Sequence, residues 1–420
     1  MRNAYFVSGF AAAALCSALS LAAPASAQSF TTLHKFCSAL PCDDGAGPLE
    51  SQPIQDAAGN FFGTAQNFGT QKGGTLYELV GGTKFRKVFD FPAQVSPRGP
   101  LVQDASGNLY GIEGTGDAGG GGVFRLHPTN ANKTKWTFET LYTFCPQKDS
   151  CPDGSTPIEL TYEGAASGAL YDGTSPLYGS TVFGGANGSG AVVRLTPKRG
   201  TWREKVIYSF CAQTDCADGQ WPAYALFPDA NGNLFGVTTN GGSANQGTVF
   251  KLKPNAKRTR WTQSVAYSFC PGADCADGAT PSGLTLDGQG NLYGTTSSGG
   301  DANRGALFSL APQGNGYAFT RLYSFCQQAD CADGSGPLAS PIVGADGTLY
   351  GTTALDSRAY SFAPQTSTYT VLHTFCTDTK CSDGIEPLSP LTPDAAGHLF
   401  GTTAFGGTKH SGGTVFVLTP

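Results

Sequence analysis

The chain has 420 residues, of which 26 are basic and 31 acidic, so its formal net charge is −5. This weakly acidic balance, with no block of basic residues, argues against nucleic acid and against a charged membrane surface as partners. Glycine accounts for 58 residues and Met1 is the sole methionine, a composition that favours tight turns and short strands over long helices.

Residues 1–27 have the features of a secretory signal peptide. Arg2 is the only charged residue, an apolar Ala-rich stretch follows, and Ala25-Ser26-Ala27 forms a small-x-small cleavage site. We therefore predict cleavage after Ala27 and a mature protein that is secreted or periplasmic. No later segment is as long and apolar as a membrane-spanning helix, so no membrane span is expected.

Beyond Cys16 in the signal segment, the cysteines form six closely spaced pairs. An even number of cysteines in an exported protein predicts disulfides. The second repeat unit lacks both members of its pair, with Pro92 in place of the first, which favours bonding within each pair. Zinc is the alternative, but this spacing without a neighbouring histidine is atypical of zinc sites. The predicted disulfides are Cys37–Cys42, Cys145–Cys151, Cys211–Cys216, Cys270–Cys275, Cys326–Cys331 and Cys376–Cys381.

A sequence unit repeats seven times along the chain. The glycine of a Leu-Tyr-Gly element recurs at intervals of about 56 residues. Each unit divides into four strand-like runs, which in the fourth unit lie near Ala223–Phe227, Leu234–Thr239, Thr248–Leu252 and Trp261–Phe269. Four short strands per unit, seven times, predict an all-β, seven-bladed β-propeller of four-stranded antiparallel blades. An open solenoid is the alternative.

The chain ends favour the closed ring. Residues 29–36 resemble an isolated fourth strand, and the last unit stops after a third strand, Val415–Leu418. Pairing these two segments would complete a blade and remove two exposed sheet edges. Residues 28–420 are therefore predicted to form a single propeller domain, with units near 37–91, 92–144, 145–210, 211–269, 270–325, 326–375 and 376–420 plus 29–36.

The repeat unit also resembles a known family. Its pattern is Gly-Asn-Leu-Tyr-Gly-Thr-Thr, then Gly-Gly, then Gly-Thr-Val-Phe-Lys-Leu, with small variations in Gly232–Leu252 and Gly290–Leu310. This pattern resembles the Gloeo/Verruco (GloVer) tandem repeat of exported bacterial proteins, over almost all of the mature chain. The resemblance implies a propeller outside the cytoplasm, and it implies no established activity and no catalytic residues.

In such a ring the cysteine loops and the Gly-Gly loops share one face, where a site is expected at the mouth of the central channel. The cysteine loops carry a recurrent Asp-Gly, with Arg98 in the equivalent place of the second unit. We interpret the aspartate as a turn residue that accepts backbone N–H groups, and we expect no cofactor. A ring of carboxylates that binds Ca²⁺ or a cationic ligand is the alternative. These aspartates are Asp44, Asp153, Asp218, Asp277, Asp333 and Asp383.

Positions where the units differ are candidates for ligand contacts. Glu113 and His410, on blades two and seven, are predicted as an acid/base pair across the channel mouth. Trp221 and Tyr224 would either stack on a sugar ring or fill gaps between blades. For each residue, a solvated loop side chain is the simpler interpretation. The candidate ligand-binding residues are Asp117, Trp221, Tyr224, Asp301, Arg304, Asp356, Arg358 and Lys409.

The leading functional hypothesis is a monomeric, non-catalytic binding or scaffold protein for a glycan or a cell-surface protein. Near-uniform repeats, small Gly-rich loops and few candidate catalytic groups support it. The alternative is a carbohydrate-active enzyme, either a polysaccharide lyase or a glycoside hydrolase, with its site at the channel mouth. Glycosidic cleavage requires two carboxyl groups at a fixed separation, so the placement of the acidic side chains discriminates between the two.

Overall fold

The computed structural model describes residues 28–114, 119–146, 150–165 and 168–420. Within these ranges the chain forms seven four-stranded antiparallel sheets arranged as the blades of a propeller. The predicted fold class is therefore confirmed. The predicted signal peptide, residues 1–27, and the candidate Asp117 lie outside the described residues.

The strands follow one another blade by blade. The chain begins with β1 (Ser29–Lys35). Blade 1 contains β2 (Ile54–Gln55), β3 (Phe61–Ala65), β4 (Thr75–Val80) and β5 (Lys84–Asp90). Blade 2 contains β6 (Pro97–Gln103), β7 (Leu109–Glu113), β8 (Gly122–Pro128) and β9 (Trp136–Thr143). Blade 3 contains β10 (Ser155–Tyr162), β11 (Leu177–Phe183), β12 (Ala191–Lys198) and β13 (Thr201–Ser209).

The second half of the ring repeats this order. Blade 4 contains β14 (Phe227–Pro228), β15 (Leu234–Thr238), β16 (Thr248–Pro254) and β17 (Trp261–Ser268). Blade 5 contains β18 (Ala279–Leu286), β19 (Leu292–Ser298), β20 (Ala306–Gln313) and β21 (Gly316–Ser324). Blade 6 contains β22 (Ile342–Val343), β23 (Leu349–Thr353), β24 (Arg358–Ala363) and β25 (Thr368–Thr374). Blade 7 contains β26 (Thr392–Pro393), β27 (Leu399–Thr403) and β28 (Thr414–Thr419).

Blade 7 is completed by the first strand of the chain. Its sheet order is β1-β28-β27-β26, and β1 pairs antiparallel with β28 from Ser29 opposite Thr419 to Lys35 opposite Thr414. The Phe30 ring of β1 stacks on His373 of blade 6, with ring centroids 3.7 Å apart. The ring is therefore closed as predicted, and β1 packs against the neighbouring blade as well as pairing within its own.

The repeated glycine of the Leu-Tyr-Gly element allows an aromatic side chain to cross the sheet. In blade 5, Gly294 lies opposite Phe308 in the β19–β20 ladder, and a Cβ added at Gly294 would overlap the Phe308 ring. Phe308 is fully buried in the cluster that joins blades 4 and 5. The glycine is therefore required for packing between blades wherever an aromatic residue lies opposite it. Blade 3 differs, because Gly179 lies opposite Val193 and an added Cβ would meet the carbonyl of Glu159 at 2.9 Å.

The described helical structure includes the single 3-10 turns Thr214–Cys216 and Ala329–Cys331. Across the described ranges, no helix has the length and apolar character needed to span a membrane.

Candidate functional site

The cysteine loops and the Gly-Gly loops meet on one face, as the topology predicted. In blade 5 the backbone N–H of Gly300 donates a hydrogen bond of 2.9 Å to the carbonyl of Cys275, and the same bond joins Gly407 to Cys381 in blade 7. We call this side of the ring, formed by the cysteine loops and by the links between second and third strands, the loop face. Ligand contacts from several blades would meet there.

All six predicted cysteine pairs form disulfides. Their Cα–Cα distances lie between 3.9 and 4.5 Å. Most of these cysteines have a left-handed φ, from 44° at Cys381 to 64° at Cys42, a conformation that side chains with a Cβ disfavour. The bridges therefore hold the loops in a backbone conformation that the residues would not prefer alone. Such disulfides are typical of proteins in oxidising compartments outside the cytoplasm.

The aspartates of the Asp-Gly turns are bound by the outer strand of the preceding blade and by the backbone of their own loop. Asp277 accepts hydrogen bonds from the Tyr267 hydroxyl at 2.7 Å and from the Cys270 N–H at 3.1 Å. On the outer strands of blades 7 and 6 the tyrosine is replaced by His34 and His373, each 2.8 Å from the equivalent carboxylate. The turn interpretation is therefore confirmed, and it explains why tyrosine and histidine share one position. In the ranges described, no group of His, Cys, Asp and Glu is arranged to hold a metal ion; binding of Ca²⁺ stays a prediction.

Several candidate loop residues stabilise their own blades. Asp301 forms an ion pair with Arg321 on β21, with an N–O distance of 2.7 Å. Asp356 accepts a hydrogen bond from Ser335. The Arg358 guanidinium donates to a backbone carbonyl of the neighbouring cysteine loop at 3.2 Å. These polar groups already have partners, so a ligand would have to compete for them.

The other polar candidates are less engaged. Arg304 and Lys409 are exposed, and their side chains make no hydrogen bond or ion pair with any residue that the structure describes. Glu113, at the end of β7, is half-buried and accepts a hydrogen bond of 2.9 Å from the Thr140 hydroxyl. Burial raises the pKa of the Glu113 carboxyl above its ordinary value. Within the described residues, His410 donates its backbone N–H to the Thr408 hydroxyl at 3.3 Å. Its pairing with Glu113 stays a prediction.

The two aromatic candidates lie in different places. Trp221 is half-buried between blades 3 and 4, where its ring meets Phe183 edge-on at a centroid distance of 6.4 Å. Tyr224 instead lies on the wall of the central channel. Burial, and secondarily the Glu50 carboxylate, raises the pKa of Tyr224 to about 12.

The central channel contains a cavity of about 120 Å³. Its wall is mostly apolar, and the segments that precede or form the first strands of six blades contribute to it. Only two of the lining side chains, Glu50 and Glu159, are charged groups. The apolar lining residues are Pro100, Ile158, Ala223, Ala225, Leu338, Ala339, Leu388 and Pro390.

The two channel carboxyl groups have different environments. Burial, and secondarily the neighbouring Glu50, raises the pKa of Glu159 to about 8. Glu50 is half exposed and forms an ion pair with Arg98 at 3.2 Å. The prediction that Arg98 takes the place of the loop aspartate is wrong, because Arg98 lies in strand β6. In the strand pairing, Pro97 of blade 2 corresponds to Pro157 of blade 3, so Arg98 follows the recurrent turn instead of lying within it. The channel thus places a carboxyl group with a raised pKa beside one that is ion-paired with Arg98.

Exposed apolar side chains are concentrated on the loop face. Blade 1 contributes Leu40, 68% exposed, and Phe68, 49% exposed. Both line an open groove of about 700 Å³. Blades 3, 6 and 7 contribute Phe183, Leu355 and Phe405. The loop face therefore carries five of the eight large apolar side chains that are exposed among the described residues.

A sequence model described as the Gloeobacter/Verrucomicrobia repeat matches residues 164–359 and 262–420, which together exceed half of the chain. The chain belongs to the Gloeobacter/Verrucomicrobia repeat family. No curated protein matches the sequence of this repeat protein.

Solved structures share the fold of this Gloeobacter/Verrucomicrobia repeat protein. Puromycin hydrolase has a TM-score of 0.53 and 10% identity, over 92% of this chain and 55% of the other. An auxiliary nutrient binding protein from Bacteroides thetaiotaomicron has a TM-score of 0.48 and 11% identity, over 93% and 76%. A gluconolactonase from Xanthomonas campestris has a TM-score of 0.43 and 12% identity, over 94% and 90%. At these identities the likeness concerns the fold alone.

The sequence reasoning missed the carboxyl groups of the repeat protein's channel. A signal was present: after the proline that precedes each first strand, only blades 1 to 3 carry a charged residue, namely Glu50, Arg98 and Glu159. The other units have small or apolar residues there. Sites that differ between otherwise uniform units therefore occur along the inner strands as well as in the loops.

Proposed function

We propose that this repeat protein is an exported, non-catalytic binding or scaffold protein that takes a glycan or a cell-surface partner on its loop face. The observation that carries the proposal is the exposure of Leu40, Phe68, Phe183, Leu355 and Phe405 on that one face. Contiguous exposed apolar surface marks interaction sites, and Leu40 and Phe68 supply such surface in one groove. The disulfide bridges on the same face keep its loops in place for binding.

The engagement of the acidic side chains also favours binding over catalysis. Asp301 is paired with Arg321, and Asp277 is bound by Tyr267 and by a backbone N–H. A glycoside hydrolase or lyase needs carboxyl groups that face the substrate with little competition. On the loop face, most of the described candidate aspartates form hydrogen bonds or ion pairs with neighbouring loops and strands.

One observation favours the enzymatic alternative, which would place a polysaccharide lyase or glycoside hydrolase at the channel. Burial raises the pKa of Glu159 to about 8, whereas the neighbouring Glu50 is ion-paired with Arg98. The two carboxyl groups therefore have the contrasting environments found for an acid and a nucleophile or base. Their cavity, however, measures about 120 Å³, whereas ligand clefts typically measure roughly 300–1,000 Å³. An adjoining cavity that Glu159 also lines measures about 330 Å³, at the lower end of that range. Because the channel is narrow and the loop face presents five exposed apolar side chains, binding on the loop face is the better-supported function.

A glycan array followed by product analysis tests the proposal. We expect the purified protein to retain one class of polysaccharide and to leave its chain length unchanged after prolonged incubation at pH 5 and pH 7. Chromatography of the incubated polysaccharide measures the products. Shortened products that disappear in Glu159→Gln or Glu113→Gln, and persist in the exposed outer-strand control Glu139→Gln, would establish the enzyme instead. Failure to bind any glycan and failure to bind intact bacterial cells would contradict the binding function.

A further inference from the structure

Phe68 occupies a backbone position that other blades give to glycine. Phe68 is the third residue after the last residue of β3 that pairs with the third strand of its blade. Gly299 in blade 5 and Gly406 in blade 7 occupy the same position. Its φ is 63°, close to 71° at Gly299 and 79° at Gly406. Its carbonyl accepts the N–H of Gly74 at 2.9 Å, as the Gly299 carbonyl accepts that of Gly305 at 2.9 Å. Blade 1 therefore has the same backbone conformation and hydrogen bond at this position, but with a residue that disfavours that conformation.

This choice of residue is unfavourable for the local backbone. A left-handed φ is unfavourable for residues with a Cβ, and it is an outlier for a bulky side chain such as phenylalanine. Phe68 recovers little by burial because 49% of it is exposed. Unfavourable backbone conformations that packing does not explain occur preferentially at functional sites.

The surroundings of Phe68 have the composition of a ligand groove. Leu40 and Pro41 from the cysteine loop share with it an open groove of about 700 Å³, within the roughly 300–1,000 Å³ typical of ligand clefts. Leu40 is 68% exposed. Two apolar side chains from two loops are thus presented to solvent at one place, where a ligand would cover both.

Three polar side chains surround these apolar groups and are free to bind. Asp43, Asn67 and Lys72 line the groove and are exposed. None of their side chains makes a hydrogen bond or ion pair with another residue in the part of the chain that the structure describes. They offer an acceptor, an amide that both donates and accepts, and a donor. The opposite charges of Asp43 and Lys72 leave the groove with no net charge.

We propose that this blade 1 groove, formed by Leu40, Pro41, Asp43, Asn67, Phe68 and Lys72, binds a pyranose ring of a neutral polysaccharide. The apolar C–H face of the sugar stacks on Phe68, and its hydroxyl groups, which both donate and accept, pair with Asp43, Asn67 and Lys72. A neutral sugar fits because the two charges of the rim cancel, whereas a charged polymer would meet one repulsive group. This inference rests on the glycan form of the proposed function and adds the site and the ligand class.

The variant Phe68→Gly separates binding from folding. Because glycine is the residue of the equivalent positions, we expect the thermal unfolding temperature to stay the same or to rise. We expect the affinity for the saccharide that the wild type binds to fall by about tenfold, as for loss of a central aromatic contact. Calorimetric titration with cello-, xylo- and mannohexaose measures the affinity. Leu170→Ser removes an equally exposed apolar side chain, 46% exposed, from the opposite face and should leave binding unchanged.

The outcomes distinguish the groove from the wider function. Wild-type binding of a hexasaccharide that persists in Phe68→Gly overturns the groove and leaves glycan binding by the protein intact. Absence of binding by the wild type to all three hexasaccharides and to the glycan array contradicts the glycan form of the function itself. If Phe68→Gly unfolds at a lower temperature, Phe68→Asn provides the second variant, because asparagine tolerates the left-handed conformation; retained saccharide affinity in that variant overturns the groove.

Discussion

Blades 5 and 1 are built from the same sequence unit, yet their loops on the loop face differ. In blade 5, Gly299 packs so closely on the cysteine loop that an added Cβ would lie 2.6 Å from the backbone of Gly278. In blade 1, the same position carries Phe68, and the cysteine loop carries the exposed Leu40. The positions that units share hold each blade together, and the positions where one unit departs determine what its surface offers to a ligand.

The largest loss of stability is expected when a side chain is placed at Gly299, the blade 5 position that corresponds to Phe68. Gly299→Ala should lower the free energy of unfolding by roughly 2–4 kcal/mol, because it adds a left-handed alanine and an overlap with backbone. Chemical denaturation measures the loss. Gly288→Ala in the same blade is the control, since a Cβ there meets nothing within 4 Å. Equal stability of the two variants would show that the Gly-Gly loop tolerates side chains in general, and Phe68 would then need no functional explanation.

Removing one disulfide should have an intermediate effect. The double variant Cys270→Ser/Cys275→Ser is expected to lose roughly 2 kcal/mol, since the bridge closes a very short loop. The matching variant Cys37→Ser/Cys42→Ser in blade 1 should lose a similar amount, measured by chemical denaturation. Only the blade 1 variant should also weaken saccharide binding, because its loop presents Leu40. Equal weakening in both variants would indicate a general loss of order on the loop face.

The smallest effect on stability is expected from Glu50→Gln in the channel. Blade 1 supplies Glu50 there, whereas the corresponding segment of blade 5 has no charged residue. The pKa of Glu159 is raised to about 8 from an ordinary value of 4.5, so the folded state binds more protons between these values and stability falls as pH rises through this window. Glu50→Gln removes the like charge, the lesser of the two causes, and should move the upper end of the window to lower pH. Thermal unfolding at pH 5, 7 and 9 measures the shift.

Two variants bracket this result. Glu159→Gln should reduce the decline in stability over the same pH window and be more stable than the wild type at pH 9. The part of the decline that remains is expected from Glu204, whose pKa burial raises to about 7. Glu139→Gln, on an outer strand, should leave the decline unchanged. A wild-type protein whose unfolding temperature does not fall between pH 5 and 9 would contradict the raised pKa of Glu159.

The architecture could be predicted from the sequence because it follows from the repeated sequence unit. An aromatic-Gly element recurs seven times, as Leu-Tyr-Gly in four units and with phenylalanine before the glycine in three. This recurrence, the paired cysteines and an unpaired strand at each end determine the blade number, the disulfides and the closure. The shared loop face followed from strand order alone. Each of these features depends on spacing along the chain, which the sequence displays directly.

The channel and the partners of loop residues could not be predicted in the same way. The inner strands of blades 1, 4, 6 and 7 pair over only two residues, as in β14 (Phe227–Pro228), so no alternation reveals which side chains face the channel. Asp301 seemed available for a ligand, but its partner Arg321 lies on a strand whose side-chain directions depend on a bulge between Leu307 and Phe308. The sequence contains one sign of the unusual backbone at Phe68: this unit has phenylalanine where other units have the first of two glycines.

The closure of the ring sets an order of events during synthesis. β1 is the first described strand to be made, and its partner β28 is the last, so the edge of β1 has no ladder partner until the rest of the polypeptide has emerged. Chains that are interrupted before Thr414 would present two unsatisfied edges, which are sites for association with other chains. The edge of β1 therefore stays open in the nascent chain until β28 has been made.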